Sequence, residues 1–285
     1  MSPLERERNL QLDRYNIPLL TAEMGKYGYD IVLHMAETIT TMEEARKLAL
    51  IGNGMQAVVI ADHQTQGVGR DEGKKWHDRP GCSILASVLL HIDDSVIYEL
   101  SDLVALHLCG LLRETTDSQA IKIKPPNDIV ANGKKLAGIL TQNIYDVNHR
   151  YKGTNVGIGI NVHYTQDELE TFPADYGATS LNLLTGDVNT RQSLLIDILP
   201  AIAAIGPDTE VINKNQSVRN EYDARWQYFS YVLGRFVRVY KDEQVVTEGE
   251  VIDTGVGRGI LIATTDGCLK TISLFDSNTK IRISD

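Results

Sequence analysis

Apolar and polar positions along the chain repeat with periods that change from segment to segment. Asp30-Ile31-Val32-Leu33-His34-Met35 forms a short apolar block of the length of a buried strand. Thr41-Met42-Glu43-Glu44 then fits a capping box, with the Thr41 hydroxyl and the Glu44 carboxylate satisfying orphan amides. The predicted helix runs through Ala45, Leu48 and Leu50 and stops at Gly52. Residues 55–61, rich in Val and Ile, and residues 84–90 read as strands on either side of a polar, Gly-containing loop. Val96, Leu100, Leu103, Val104, Leu108 and Leu111 follow helical spacing across residues 93–113. Ile121 and Ile123 alternate with Lys122 and Lys124, as in a strand with one dry face. Ile129-Val130, Asn132-Gly133 and residues 136–140 predict a β-hairpin, because Asn-Gly suits the positive φ angles of a type I′ turn. Residues 156–162 give another strand, and residues 191–205 a helix that ends at Gly206-Pro207.

The pattern changes near Tyr231. Residues 236–240, 249–253, 259–264 and 269–273 read as short strands separated by Gly or Asp-Gly turns. These predict a small all-β barrel appended to an α+β domain. The expected organisation is an N-terminal extension (1–29) with room for one short helix, a main domain (30–230) and the barrel (231–285).

Composition narrows the class. The chain is 42% hydrophobic and 23% charged, which supplies a full core and excludes a disordered chain. No apolar run approaches the roughly 18 residues of a spanning helix. Glu5, Arg6, Glu7 and Arg8 leave no apolar stretch for a secretory signal. Cys82, Cys109 and Cys268 are few and far apart, which argues against a disulfide framework or thiolate metal site. The net charge of −10 argues against general nucleic-acid binding. A soluble, cytoplasmic protein of one or two domains is expected.

Three constellations stand out. In the first, Gln64-Thr65-Gln66-Gly67-Val68-Gly69-Arg70-Asp71-Glu72-Gly73-Lys74-Lys75-Trp76, glycines let backbone amides approach an anion while Arg70, Lys74 and Lys75 supply charge. Its spacing is neither a dinucleotide fingerprint nor a Walker P-loop. The second is Lys124-Pro125-Pro126-Asn127-Asp128 followed by Lys134-Lys135-Leu136-Ala137-Gly138, a hairpin that can bring Lys124, Asp128 and Lys135 to one end of a sheet. The third, Gly157-Ile158-Gly159-Ile160-Asn161, places glycines inside a strand, where they weaken pairing unless something must come close to the backbone. Taken singly, each also reads as ordinary structure: a solvated loop, a solvated hairpin with turn residues, and a core strand with incidental glycines.

Taken together, their order and spacing resemble the biotin–protein ligases. That family carries Gln-x-x-Gly-Arg-Gly-Arg-x-Gly-Arg-x-Trp, Lys-Trp-Pro-Asn-Asp, Arg/Lys-Lys-Leu-Ala-Gly-Ile-Leu and Gly-Ile-Gly-Ile-Asn-Val. Residues 64–76, 124–128, 134–140 and 157–162 follow these patterns. Thr40-Thr41-Met42, Gly81, Leu85, Ser87 and Ala178-Thr179-Ser180-Leu181 match further family elements. The resemblance covers residue 30 to the C-terminus and implies a class II synthetase-like mixed sheet with helices, plus an SH3-like barrel. Departures are Val68 and Lys74 in place of arginines, an extra residue around Asp71-Glu72, and Pro125 in place of Trp. A lysine lacks the guanidinium fork, so bidentate anion contacts are lost. No helix-turn-helix domain fits before Asp30, so the repressor activity of some relatives is not expected.

The resemblance implies an ATP-dependent ligase that forms biotinyl-5′-AMP and transfers biotin to a carrier lysine. Lys135 and Arg70 would bridge the biotin carboxylate and α-phosphate, Asp128 would orient or deprotonate the carrier amine, and Lys124 would add field. Thr40, Thr41, Gln64, Gly67, Arg70, Lys135 and Gly138 would contact biotin. Gly69, Lys74, Trp76, Asn127, Asn161 and Lys135 would serve ATP or the adenylate, with Mg²⁺ carried on the phosphates and no protein metal ligand. The implied partner is the biotin carrier domain of acetyl-CoA or pyruvate carboxylase, with no nucleic acid and no membrane, and a homodimer as one allowed assembly. A lipoate–protein ligase is an alternative, although its Arg-Arg-x-Gly-Gly-Gly signature is absent. A catalytically weak relative that only binds biotin or a carrier is another, motivated by Val68, Asp71-Glu72 and Pro125.

Overall fold

The computed structural model describes residues 13–52, 54–93, 96–173, 177–186, 190–276 and 279–284, with the side chains of Tyr98 and Pro207 excepted. The charged residues 5–8 lie outside it. The main sheet has seven strands in the order β1-β2-β5-β9-β8-β7-β6. These are β1 (Ile31–Met35), β2 (Ala57–Ala61), β5 (Ser83–Leu90), β6 (Ile121–Lys124), β7 (Asp128–Ala131), β8 (Lys134–Tyr145) and β9 (Tyr151–Asn161). β1 and β2 run parallel; the remaining pairs are antiparallel.

One face of this sheet packs against α1 (Ile17–Gly25), α3 (Ile97–Thr116), α6 (Arg191–Ala203), α7 (Ile205–Lys214) and α8 (Gln216–Phe229). The two remaining short helices are α4 (Gln166–Glu170) and α5 (Leu181–Thr185). Even-numbered β5 residues Ile84, Ala86, Val88 and Leu90 join Leu100, Leu103, Leu195 and Ile198 in the principal core. The opposite face carries α2 (Thr41–Ile51) at one end, over Ala57, Leu89 and Ile144. Beyond α2 that face lines a cavity.

Several expectations shift. The N-cap of α2 is Thr40, whose side chain accepts from the Met42 amide, so Thr41 is the first helical residue. Glu44 accepts from the Thr38 hydroxyl rather than closing a capping box on Thr41. Gly206-Pro207 does not end the helical segment but opens α7, where a proline is tolerated in the first turn. α8 was not anticipated, because its exposed face leaves few apolar positions to set a period. Residues 13–29 pack as part of the main core: Leu20, Met24 and Tyr29 are buried in it. Asp13, also buried, accepts from the Arg191 amide and pairs with His163 at 2.7 Å.

The C-terminal sheet is antiparallel and five-stranded, in the order β13-β12-β11-β10-β14. Its strands are β10 (Phe236–Lys241), β11 (Gln244–Gly255), β12 (Gly259–Thr264), β13 (Leu269–Ile272) and β14 (Thr279–Ile283). Val237, Val239, Val251, Ile260, Ile262 and Ile281 form a separate core, as in a small SH3-like barrel. The last strand, β14, adds a fifth to the four expected from the sequence. The turn at Val256 and Gly257 fastens this sheet to the helical layer: Val256 N–H donates to Asp223 and Gly257 N–H to Asp102. Trp226 Nε1 donates to Thr254 Oγ1 at 3.0 Å beside them.

Candidate active site

The site begins with a hairpin. Asn132 and Gly133 take φ of 50° and 78°, as an Asn-Gly turn between β7 and β8 requires. Register then decides what faces the open side of the sheet. Asp128 pairs with Gly138 and Ile129 with Ala137, but Val130 pairs with Lys135. Leu136 is therefore an extra residue, a β-bulge of the kind that re-aims a side chain. It turns Lys135 to the face of Asp128 while Leu136 and Ala137 both go to the core. Lys135 Nζ reaches Asp128 Oδ1 at 2.7 Å. Lys124 pairs with Asp128 from β6, so all three charged residues meet at one end of the sheet, as expected. Asn127 instead stitches the turn to β8: its Nδ2 donates to the Ile139 carbonyl, and its own carbonyl accepts from Ile139 N–H.

A lid crosses above. β3 (Gly67–Val68) and β4 (Lys75–Trp76) form a two-stranded ribbon. From it the Trp76 indole lies against the glycines of β8 and β9. A Cβ on Gly159 would sit 2.7 Å from the indole, and one on Gly138 would sit 3.2 Å from it. Close approach thus explains those strand glycines, and the approaching group is the lid's own tryptophan. The Lys135 ammonium lies 5.7 Å from the centre of that ring. Gly67 is displaced from its expected role: it does not line the cavity and is pressed against the Trp76 carbonyl.

The floor is polar and organised. Gln64 Oε1 accepts from the Thr41 amide at 2.7 Å and from the hydroxyls of Thr40 and Thr41 at 3.0 and 3.1 Å. Ser87 Oγ donates to the Thr41 hydroxyl. On the far side Asn161 Nδ2 donates to the Thr179 carbonyl. Asn161 Oδ1 and Trp76 Nε1 are buried without a hydrogen-bond partner. Such groups cost stability, and a ligand that satisfies them would recover it.

Hairpin, lid and floor enclose a cavity of about 430 Å³. Thr40, Thr41, Gln64, Gly69, Arg70, Lys74, Trp76, Lys124, Asn127, Asp128, Lys135, Gly138 and Asn161 all line it, as the sequence had suggested. Lys75, Lys280 and Arg282 add to Arg70, Lys74, Lys124 and Lys135, making seven cations around two carboxylates, Asp71 and Asp128. In a chain of net charge −10, this is a strong local inversion of sign that favours an anion. Lys280 and Arg282 come from β14; the alternation Thr279-Lys280-Ile281-Arg282-Ile283 was the overlooked signal. Met42, Phe172, Pro173 and Tyr231 supply apolar wall.

Arg70 departs from its expected position as an anion clamp. It lines the cavity, yet its Nε donates to Asp71 Oδ1 at 3.1 Å. Its Nη1 and Nη2 donate to the carbonyls of Leu274 (3.2 Å) and Thr279 (2.5 Å) in the C-terminal sheet. The planar guanidinium fork presents its two terminal nitrogens to two acceptors at once, here both backbone carbonyls.

Comparison with known proteins accords with this geometry. The family model of the biotin/lipoate A/B protein ligases matches residues 35–161. A biotin–[acetyl-CoA-carboxylase] ligase from Paracoccus denitrificans is 31% identical over 172 residues, spanning 59% of this chain and 70% of that protein. The chain belongs to the biotin/lipoate A/B protein ligase family. Other members of that family place it further. The bifunctional ligase/repressor BirA of Bacillus spizizenii is 31% identical over 183 residues, covering 64% of this chain and 54% of the relative. The chain thus spans about half the length of that BirA and of the one from Bacillus subtilis. The fold matches a biotin protein ligase from Aquifex aeolicus, solved with biotin and ATP, with a TM-score of 0.70. That match has 24% identity and covers 90% of this chain and 100% of the other.

Proposed function

We propose that this chain is an ATP-dependent biotin–protein ligase: it activates biotin as biotinyl-5′-AMP and transfers it to a lysine of a biotin carrier domain. The observation that carries the proposal is the cationic cavity gathered around the Lys135–Asp128 pair, with a hydrogen-bonding floor at Gln64, Thr40 and Thr41. In the first step a biotin carboxylate oxygen attacks the α-phosphorus of ATP, the bond to the β-phosphate breaks, and pyrophosphate leaves. An anion must approach a polyanion, so the barrier is largely electrostatic, and preorganised cations reduce it. Lys135 is the cation for that task, held in place by Asp128 and the indole of Trp76. Lys124, Lys74 and Lys75 add to the field, and Gly69, whose N–H donates to the Lys74 carbonyl, holds the lid tip closed beside them. Gln64, Thr40 and Thr41 have the donors and acceptors that a ureido ring needs, and Asn161 Oδ1 and Trp76 Nε1 suit a purine or ribose edge.

In the second step the carrier ε-amine attacks the acyl carbon and AMP leaves. That amine has a pKa near 10 in its free form, so it must first lose a proton. Asp128 is the carboxylate placed to orient it and receive that proton. The lid covers the acyl-adenylate and keeps water away from it. Mg²⁺, when bound, neutralises phosphate oxygens. The same reading sets the boundary of the catalytic and barrel domains near Tyr231, the acceptor as a carboxylase carrier domain and the compartment as the cytoplasm.

The test is to incubate the purified full chain with Mg²⁺-ATP, biotin or lipoate, and an apo carrier domain, then to weigh the carrier. A mass gain of one biotinyl group is expected. A lipoyl gain, or no gain despite measurable biotin binding, overturns the proposal.

A further inference from the structure

The Arg70 side chain ties the lid to the C-terminal sheet. The three hydrogen bonds of the Arg70 guanidinium go to Asp71 and to the carbonyls of Leu274 and Thr279. The Arg70 and Asp71 side chains are only 17% and 15% exposed, so the pair is partly shielded from water. The lid tip is tied around the same residues: Gly69 N–H donates to the Lys74 carbonyl, and Lys74 N–H donates to the Asp71 carbonyl. Asp71 lies where the sequence has one residue more than the pattern that it resembles, around Asp71-Glu72.

We propose that Asp71 is a positioning residue for Arg70, holding its guanidinium on the rim of the C-terminal sheet so that the lid is docked before any anion arrives. Arg70 then reaches an anion in the cavity by exchanging Asp71 and two neutral carbonyls for it. The exchange is feasible because a phosphate or carboxylate is a stronger partner for a guanidinium than a carbonyl is. The latch has two consequences: the empty lid stays ordered, and part of the binding energy of Arg70 is withheld until the latch opens. The identity of the anion as an acyl-adenylate rests on the function proposed above; the latch itself does not.

The test uses the full chain and four forms: wild type, Asp71→Asn, Arg70→Ala and the double variant. Without ligand, hydrogen exchange of peptides covering residues 67–76 should quicken about tenfold in Asp71→Asn, while β5 peptides stay unchanged. Unchanged lid exchange overturns the latch, whatever the protein's substrate. The second measurement is the dissociation constant for biotinyl-5′-AMP. Asp71→Asn should tighten it about fivefold in the presence of Arg70 and by less than about twofold in the Arg70→Ala background, since coupled residues are non-additive. Equal tightening in both backgrounds would mean that Asp71 acts by its charge alone, and weaker binding by Asp71→Asn would mean that it presents Arg70 to the anion; each result overturns the proposal. If no form binds biotinyl-5′-AMP, the functional reading fails, and the exchange data decide the latch by themselves.

Discussion

Lys135 and Asp128 face each other across β8 and β7 at 2.7 Å because Leu136 bulges out of the ladder between them. In a regular ladder Lys135 would point to the apolar core, where an ammonium is unaffordable without a partner. The bulge places a cation and its orienting carboxylate on the open face of a rigid sheet, next to the lid. Lys135→Ala should therefore lower the rate of adenylate formation about 100- to 1,000-fold, in line with loss of one preorganised electrostatic group. Because the Lys135 side chain is 29% exposed, the melting temperature should move by only a few degrees. Biotin-dependent pyrophosphate release, beside a thermal melt, measures both.

Gly159 carries the weight of the lid's tryptophan. A methyl there would sit 2.7 Å from the indole, closer than carbon atoms approach, so Gly159→Ala must displace Trp76 and with it the ribbon Gly67–Val68 and Lys75–Trp76. The expected result is a rise of at least tenfold in the ATP concentration needed for half-maximal rate, with the fold retained. Trp76 and Trp226 are the two tryptophans, so fluorescence of a Trp226→Phe background reports the displacement directly.

Gln64 satisfies three donors at once. Replacing it with Leu strands the Thr41 amide and two hydroxyls in a buried setting, each unsatisfied group costing about 1–3 kcal/mol. We expect loss of stability of that order in denaturant unfolding, together with a drop in biotin affinity of more than about tenfold by calorimetry. Biotin binding at wild-type strength by a folded Gln64→Leu protein would remove the floor from the ligand site.

Asp102 makes the attachment of the C-terminal sheet sensitive to pH. Burial pushes its carboxyl up to about 8; the bond from Gly257 N–H opposes this, and the neighbouring Glu99 and Asp223 reinforce it. An unfolded aspartate titrates near 3.9, so between about pH 4 and pH 8 the native state keeps a proton that the unfolded chain has released. Its contribution to stability is complete below about pH 4, falls as pH rises through 8 and is flat above. Asp102→Asn keeps an acceptor for Gly257 and cannot ionise. The variant should match wild type in melting temperature near pH 4 and exceed it at pH 9, with the difference growing steadily across the interval.

Local chemistry made much of this molecule readable. The Asn132-Gly133 turn was legible because two positive φ angles suit few other pairs, and α3 because Leu100, Leu103, Val104, Leu108 and Leu111 keep one helical face. The cavity lining was legible through the family resemblance, whose motifs already named thirteen of the residues that converge there. What escaped were relations between distant segments. The carbonyls that hold Arg70 lie 204 and 209 residues further along the chain. The partner of Gly159 is a tryptophan on another element, and β14, which brings Lys280 and Arg282, lies beyond the four strands expected in the barrel.

Sequence alone thus determined the class of fold, the order of most elements and the set of side chains able to stabilise an anion, because propensity, turn chemistry and motif spacing act over a few neighbouring residues. The tertiary structure alone decided which way those side chains point: Lys135 into the cavity rather than the core, Trp76 onto the glycine strand, and Arg70 onto the rim of the C-terminal sheet. Each of these depends on strand register or on contacts closed across long loops. A shift of one residue in pairing reverses a side chain's face without changing any local preference, so no local pattern can report it.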